Sequence, residues 1–101
     1  MYIHNTTTKV DHETLEEWLR WQKKINIPEI MASGYVNEYH FCQLLGHDET
    51  DGKTFTLQLL CTSKNDYEGF LKNTEPLKRE EATKKWGDHA VYFSSLLKSV
   101  D

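Results

Sequence analysis

Residues 35–62 decide the fold. Tyr35–Leu45 (YVNEYHFCQLL) and Thr54–Thr62 (TFTLQLLCT) are aromatic, β-branched or apolar runs on either side of an acidic segment, Gly46–Lys53 (GHDETDGK). Two such runs around a Gly- and Asp-containing loop read as a β-hairpin. In the second run Phe55, Leu57, Leu59 and Cys61 share one face, expected beneath helices, leaving Thr54, Thr56, Gln58, Leu60 and Thr62 on the other. In the first run Val36, His40, Cys42 and Leu44 share one face and Tyr35, Tyr39, Phe41 and Leu45 the other. Either register is therefore expected to turn large side chains away from the helices. With the turn centred near Glu49 and Thr50, Cys42 faces a residue near Leu57, about 13 Å along the strand from Cys61. That separation excludes a disulfide and predicts free, mostly buried thiols.

The flanking sequence supplies matching elements. Tyr2–Val10, rich in Thr and Ile, reads as a strand. Asp11 offers a helix cap, or Thr14 with Glu17 a capping box three residues later. Leu15, Trp18, Leu19, Gln22 and Ile25 then recur at helical spacing. Pro28 predicts a fresh helical turn over Ile27–Met31 after a break near Asn26, closed by Gly34. Ser63 or Asn65 caps a second helix carrying Tyr67, Phe70 and Leu71 on one face. Pro76 interrupts it, Thr74 caps the continuation with Leu77 and Trp86 on its apolar side, and Gly87 stops it. Glu80 with Lys84 and Glu81 with Lys85 form i,i+4 pairs on the solvated face. Ala90–Val100 reads as a last strand, presenting outward either Tyr92 and Leu96 or Val91, Phe93 and Leu97.

The order β-α-β-β-α-β over residues 1–101 is the ferredoxin-like α+β arrangement, a four-stranded antiparallel sheet with two helices on one face, in a single domain. Composition supports a folded chain: three Trp, five Tyr and four Phe stand in 101 residues, although the hydrophobic fraction is only 38%. The broad apolar character of the outer sheet face predicts association, most simply a homodimer through Tyr39, Phe41, Leu60 and Leu96.

Other classes find little support. Twelve Lys+Arg against sixteen Asp+Glu, interleaved in sign, give a charge of −4. No basic stripe exists for nucleic acid or anionic lipid. No apolar run approaches the ~18 residues that span a bilayer, and no basic-then-apolar leader opens the chain. A soluble cytoplasmic protein is expected. The histidines His4, His12, His40, His47 and His89 show no metal-ligand spacing, so no metal and no cofactor is expected. Asp48–Gly52 lacks the alternating ligands of a calcium loop, and no Gly-rich phosphate loop is present. His40 and Cys42 share a strand face but lack a third orienting group for a catalytic dyad.

Several segments resemble a family of small bacterial proteins catalogued only as a domain of unknown function: Met1-Tyr2-Ile3-x-Asn5, Trp18-Leu19-x-Trp21, Ile27-Pro28-Glu29-Ile30-Met31-Ala32-x-Gly34, Asp66-Tyr67 and Trp86-Gly87-Asp88. The resemblance spans nearly the whole chain and implies the fold of the dimeric α+β barrel superfamily, which includes antibiotic-biosynthesis-type monooxygenases and muconolactone isomerase-like proteins. Asn26 stands where His is expected in many such chains. The resemblance places a ligand pocket between helices and sheet, with Asn5, Trp18, Gln22, His40 and Tyr92 as candidate lining groups. Trp18 and Trp86 read as core and interface anchors rather than as a cofactor platform. Two readings follow: a homodimer binding a small molecule, or a cofactor-independent enzyme resembling the superfamily's oxygenases or isomerases, with Asn5, His40 or Tyr92 stabilising an oxyanion.

Overall fold

Alternation and capping build the expected sheet in the computed structural model, which describes residues 1–46 and 48–101; His47 lies outside the described residues. Strands β1 (Tyr2–Asp11), β2 (Glu38–Gln43), β3 (Gly52–Cys61) and β4 (Ala90–Lys98) pair antiparallel in the order β2-β3-β1-β4. Strands β1 and β3 are central. Helices α1 (Leu15–Trp21) and α2 (Ile27–Ala32) follow β1, joined by a π-helical turn at Gln22–Asn26. Helices α3 (Lys64–Asn73) and α4 (Glu75–Trp86) follow β3, and a 3-10 turn at Gly87–His89 leads into β4.

The first helical layer departs from expectation at its centre. The chain does not break near Asn26; the Ile27 N–H donates to the Gln22 carbonyl, an i→i+5 bond that absorbs one extra residue. Pro28, which has no N–H, is thereby accommodated without ending the helix. The extra residue also turns the helix face. Asn26 and Trp21 are buried, whereas Ile25, expected on the apolar stripe, is exposed. At the start of α1, Thr14 occupies the cap position without a side-chain capping bond, and Asp11 Oδ1 instead accepts from the Thr14 N–H at 2.8 Å.

The second helical pair follows its expected caps in part. Ser63 Oγ accepts from the Asp66 N–H at 3.0 Å, and Gly87 adopts φ +53° at the stop, but Thr74, expected to cap the continuation, stands between α3 and α4 without a side-chain capping bond. Leu77, expected on the apolar side of α4, is 67% exposed, while Trp86 is buried. Glu80 pairs with Lys84 at 2.7 Å, but Glu81 reaches Lys78 rather than Lys85, whose ammonium lies over the Trp86 ring.

Register assigns the faces. His4 pairs with Leu59 and Leu96, Thr6 with Leu57 and Ser94, and Thr8 with Phe55 and Tyr92. Phe41 pairs with Leu57, so it turns with Phe55, Leu57, Leu59 and Cys61 toward the helices. Tyr39, Phe41 and Leu96 therefore lie on the helix side of the sheet. This corrects the expectation that large residues of the second strand would point outward in either register. Of the four interface candidates only Leu60 lies on the open face, and it is already buried within one chain. The last strand presents Val91, Phe93 and Leu97 to that face, all exposed. Cys42 pairs with Thr56, one residue from the expected partner, and is exposed, whereas Cys61 is buried; both thiols are free.

The core separates into two clusters. One gathers Ile27, Ile30, Val36, Leu57, Leu59, Cys61, Tyr67 and Phe70; the other gathers Val10, Trp18, Trp21, Phe55, Trp86 and Ala90. Phe41 packs against both.

Candidate functional site

The inward face of β1 explains why the core divides. Between Tyr2 and Val10 its helix-facing residues are His4, Thr6 and Thr8, a polar strip along a central strand where a two-layer fold ordinarily places aliphatic side chains. Opposite it, the π-helical turn lowers a second polar pair. Gln22 and Asn26 are both buried, and Asn26 Nδ2 donates to Gln22 Oε1 at 2.8 Å. A cavity of about 90 Å³ lies between these strips, walled by aromatic rings including Trp18, Trp21, Phe55 and Phe70.

Several lining groups lack protein partners. His4 Nδ1, Asn26 Oδ1 and Trp86 Nε1 are shielded from solvent without a hydrogen bond, and each residue is more than nine-tenths buried. An unmet buried polar group costs about 1–3 kcal/mol. Three around one small cavity are a concentrated expense for a chain of this size.

The electrostatics of the lining are balanced. Burial pushes the His4 imidazole below its ordinary value, with the Glu75 carboxylate opposing and the Arg79 guanidinium adding to the effect. His4 is thus neutral near pH 7, its ring edge-on to Phe70. Glu75 pairs with Arg79 at 3.7 Å. Lys78, whose side chain is 14% exposed, bridges Glu29 of α2 at 2.6 Å and Glu81 at 3.1 Å, so it ties α4 to α2 beside the cavity. At one edge Tyr92 Oη and Thr83 Oγ1 are hydrogen-bonded at 3.1 Å.

Of the five pocket residues expected from sequence, Trp18, Gln22 and Tyr92 line this cavity. Asn5 and His40 do not; both pair with Gln58 on the open face. There Asn5 Nδ2 makes only a long contact to Thr7 Oγ1 at 3.5 Å, and exposed His40 meets Glu38 at 3.3 Å. Cys42 shares that open face, away from the cavity. The residues not anticipated are His4, Thr6, Thr8 and Asn26. Period-two counting back from Val10 would have revealed the first three, because Val10, the last apolar residue before the helix, fixes the inward parity.

The sequence pattern described as "Domain of unknown function (DUF4286)" matches residues 1–100. The chain belongs to this family. No curated protein matches it in sequence. The DUF4286 chain does share its fold with solved structures. An ethyl tert-butyl ether d (EthD) family protein from Bacillus halodurans C-125 superposes with TM-score 0.74 at 8% identity, over 99% of this chain and 100% of that one. A dimeric ferredoxin-like protein from an uncultured marine organism gives 0.63 at 13% identity, over 99% and 95%. SnoaB, a cofactor-independent oxygenase from Streptomyces nogalater, solved as a mutant, gives 0.67 at 7% identity, over 99% and 94%. At these identities the likeness is one of fold: a ferredoxin-like α+β sheet with helices on one face. Among the described residues of this DUF4286 chain no helix is long and apolar enough to cross a membrane.

Proposed function

We propose that residues 1–101 act as one unit, a cytoplasmic homodimer that binds a small molecule in the cavity between sheet and helices. The observation that carries the binding reading is the set of unpartnered, buried polar atoms on His4, Asn26 and Trp86 around one aromatic-walled cavity. A ligand with matching groups would recover the desolvation that the free protein bears. Dimerisation is supported by exposed Val91, Phe93 and Leu97 on the open sheet face and by the dimeric state named for the marine ferredoxin-like neighbour. Two unbridged cysteines suit a reducing compartment.

The test is a thermal-shift screen of uncharged aromatic compounds against the protein and Trp86→Phe. A bound compound should raise the melting temperature in proportion to the logarithm of its concentration, and the Trp86 variant should weaken the effect. Uniformly flat responses across the panel would defeat the binding reading.

A second reading, a cofactor-independent enzyme, is favoured by one observation: a neutral, buried imidazole, that of His4, lines the cavity and is able to accept a proton. Incubating any compound found in the screen with protein and with His4→Gln, followed by product chromatography, separates catalysis from binding. Turnover that survives the substitution removes His4 from the chemistry.

A further inference from the structure

The hydrogen-bonding inventory of the cavity narrows the ligand class, an inference that rests on the binding site proposed above. Gln22 and Asn26 are buried, line the cavity and share one hydrogen bond. Each amide carries a carbonyl acceptor and an NH2 donor. Whichever way the two amides are turned, one bond between them leaves a carbonyl on one residue and an NH2 on the other for a third party. Trp86 Nε1–H is an unmet donor, and neutral His4 presents one donor and one acceptor nitrogen.

Charge narrows the class further. The charged groups of the lining already have partners: Glu75 has Arg79, and Lys78 has Glu29 and Glu81. An anion would find no free cation there, and a cation would have to displace Arg79 or Lys78 from a carboxylate. Desolvating a charged ligand in such a site costs more than the neutral hydrogen bonds return. Flat rings line the cavity, meanwhile: Trp18, Phe41 and Phe55 touch one another as a single aromatic wall, with Trp18 and Phe55 centroids 5.2 Å apart, and Phe70 lines it as well.

We propose that the ligand is an uncharged, single-ring aromatic lactam: a planar ring lying against the aromatic wall whose adjacent N–H and C=O meet the free carbonyl and NH2 of the Gln22–Asn26 pair. The arrangement addresses a donor and an acceptor held side by side in one rigid plane, which is the edge that a lactam presents. A hydrocarbon of the same outline would leave the amide groups unmet, and a carboxylate would bring the wrong charge and no donor.

The experiment compares three single-ring probes, sized for a cavity of about 90 Å³, by calorimetric titration: 2-pyridone, benzene and benzoate. The lactam should bind at least about tenfold more tightly than either of the others. Asn26→Leu should abolish that preference, bringing 2-pyridone to within about twofold of benzene. Gln22→Leu supplies the same reading if the Asn26 variant folds poorly, with native circular dichroism as the control. If benzene or benzoate binds as tightly as the lactam, or if the preference survives both substitutions, the lactam assignment falls while small-molecule binding stands. If none of the three binds, both fall.

Discussion

His89 Nδ1–H donates to Asp11 Oδ2 at 2.6 Å, tying the end of β1 to the 3-10 turn that launches β4. The other carboxylate oxygen of Asp11 accepts from the Thr14 N–H, so one side chain organises the exit of β1 toward both α1 and β4. The hydrogen bond raises the His89 pKa above its ordinary 6.5 and, with the Thr14 bonds, lowers that of Asp11 below 3.8. For His89 the raised folded value means a contribution that is whole below pH 6.5 and fades as pH climbs through the raised value. For Asp11 the lowered value means a contribution that is whole above 3.8 and fades as acid reaches the carboxylate. The pair therefore supports the fold most between these limits. His89→Gln should lower the melting temperature most near about pH 5.5 and least near about pH 8.5. A melting-temperature difference that is the same at both ends would contradict the assignment.

Gly69 should reverse an ordinary rule. Gly→Ala within a helix usually stabilises by about 1 kcal/mol, but a Cβ at Gly69 would lie 2.5 Å from Tyr35 Cε1. The ring would have to move and give up the bond that Asn73 Nδ2 donates to Tyr35 Oη at 2.8 Å. Gly69→Ala is expected to destabilise by about 1–2 kcal/mol. Gly52→Ala should cost more, about 3 kcal/mol, because its Cβ would overlap the backbone carbonyl of Val10, which cannot swing away. Urea midpoints of the two variants check the order; equal midpoints would contradict the steric account.

How much of this was legible in the sequence follows from which signals are local. The element order and the inward set Phe55, Leu57, Leu59 and Cys61 rest on alternation and punctuation, and the structure has them as read; of the two caps offered for the second helix, Ser63 and Asn65, it uses Ser63. The facing of Tyr39 and Phe41 rests on how β2 is registered on β3, which an eight-residue loop does not fix. The candidate site was half legible for a related reason. Asn5 is a polar residue in a central strand, but its neighbours His4 and Thr6 are polar too, so polarity alone gives no parity. Asn26 was hidden by the π-helical turn, because a 100° periodicity places Ile25 inward instead.

Gln22 and Asn26 should behave as a coupled unit. Gln22→Ala removes the acceptor for Asn26 Nδ2, adding an unmet donor to the already unmet Oδ1, at a cost of about 1–3 kcal/mol. Replacing both by Leu removes the amides together and should cost less than the sum of the single Leu variants. The coupling in a double-mutant cycle read from urea unfolding is expected at about 1 kcal/mol or more. Strict additivity would show that the 2.8 Å bond contributes nothing to the fold.

The proposed homodimer is open to a direct test on β4, because alternate residues address opposite sides of the sheet. Phe93 projects to the open face and is 62% exposed; Leu96, at 60%, projects to the helix side. Equal exposure makes the two a matched pair for charge substitution. If the open faces pack together across a two-fold axis, Phe93→Glu places two carboxylates in an apolar interface, whereas Leu96→Glu leaves that interface intact. The protein is expected at twice 11.9 kDa by light scattering, Phe93→Glu at one chain mass, and Leu96→Glu still at two. The reverse pattern would move the interface to the helix side of β4, beside Ser94 and Tyr92 at the cavity edge. In that case a second copy would border the ligand site rather than lie behind the sheet, and ligand affinity would depend on protein concentration.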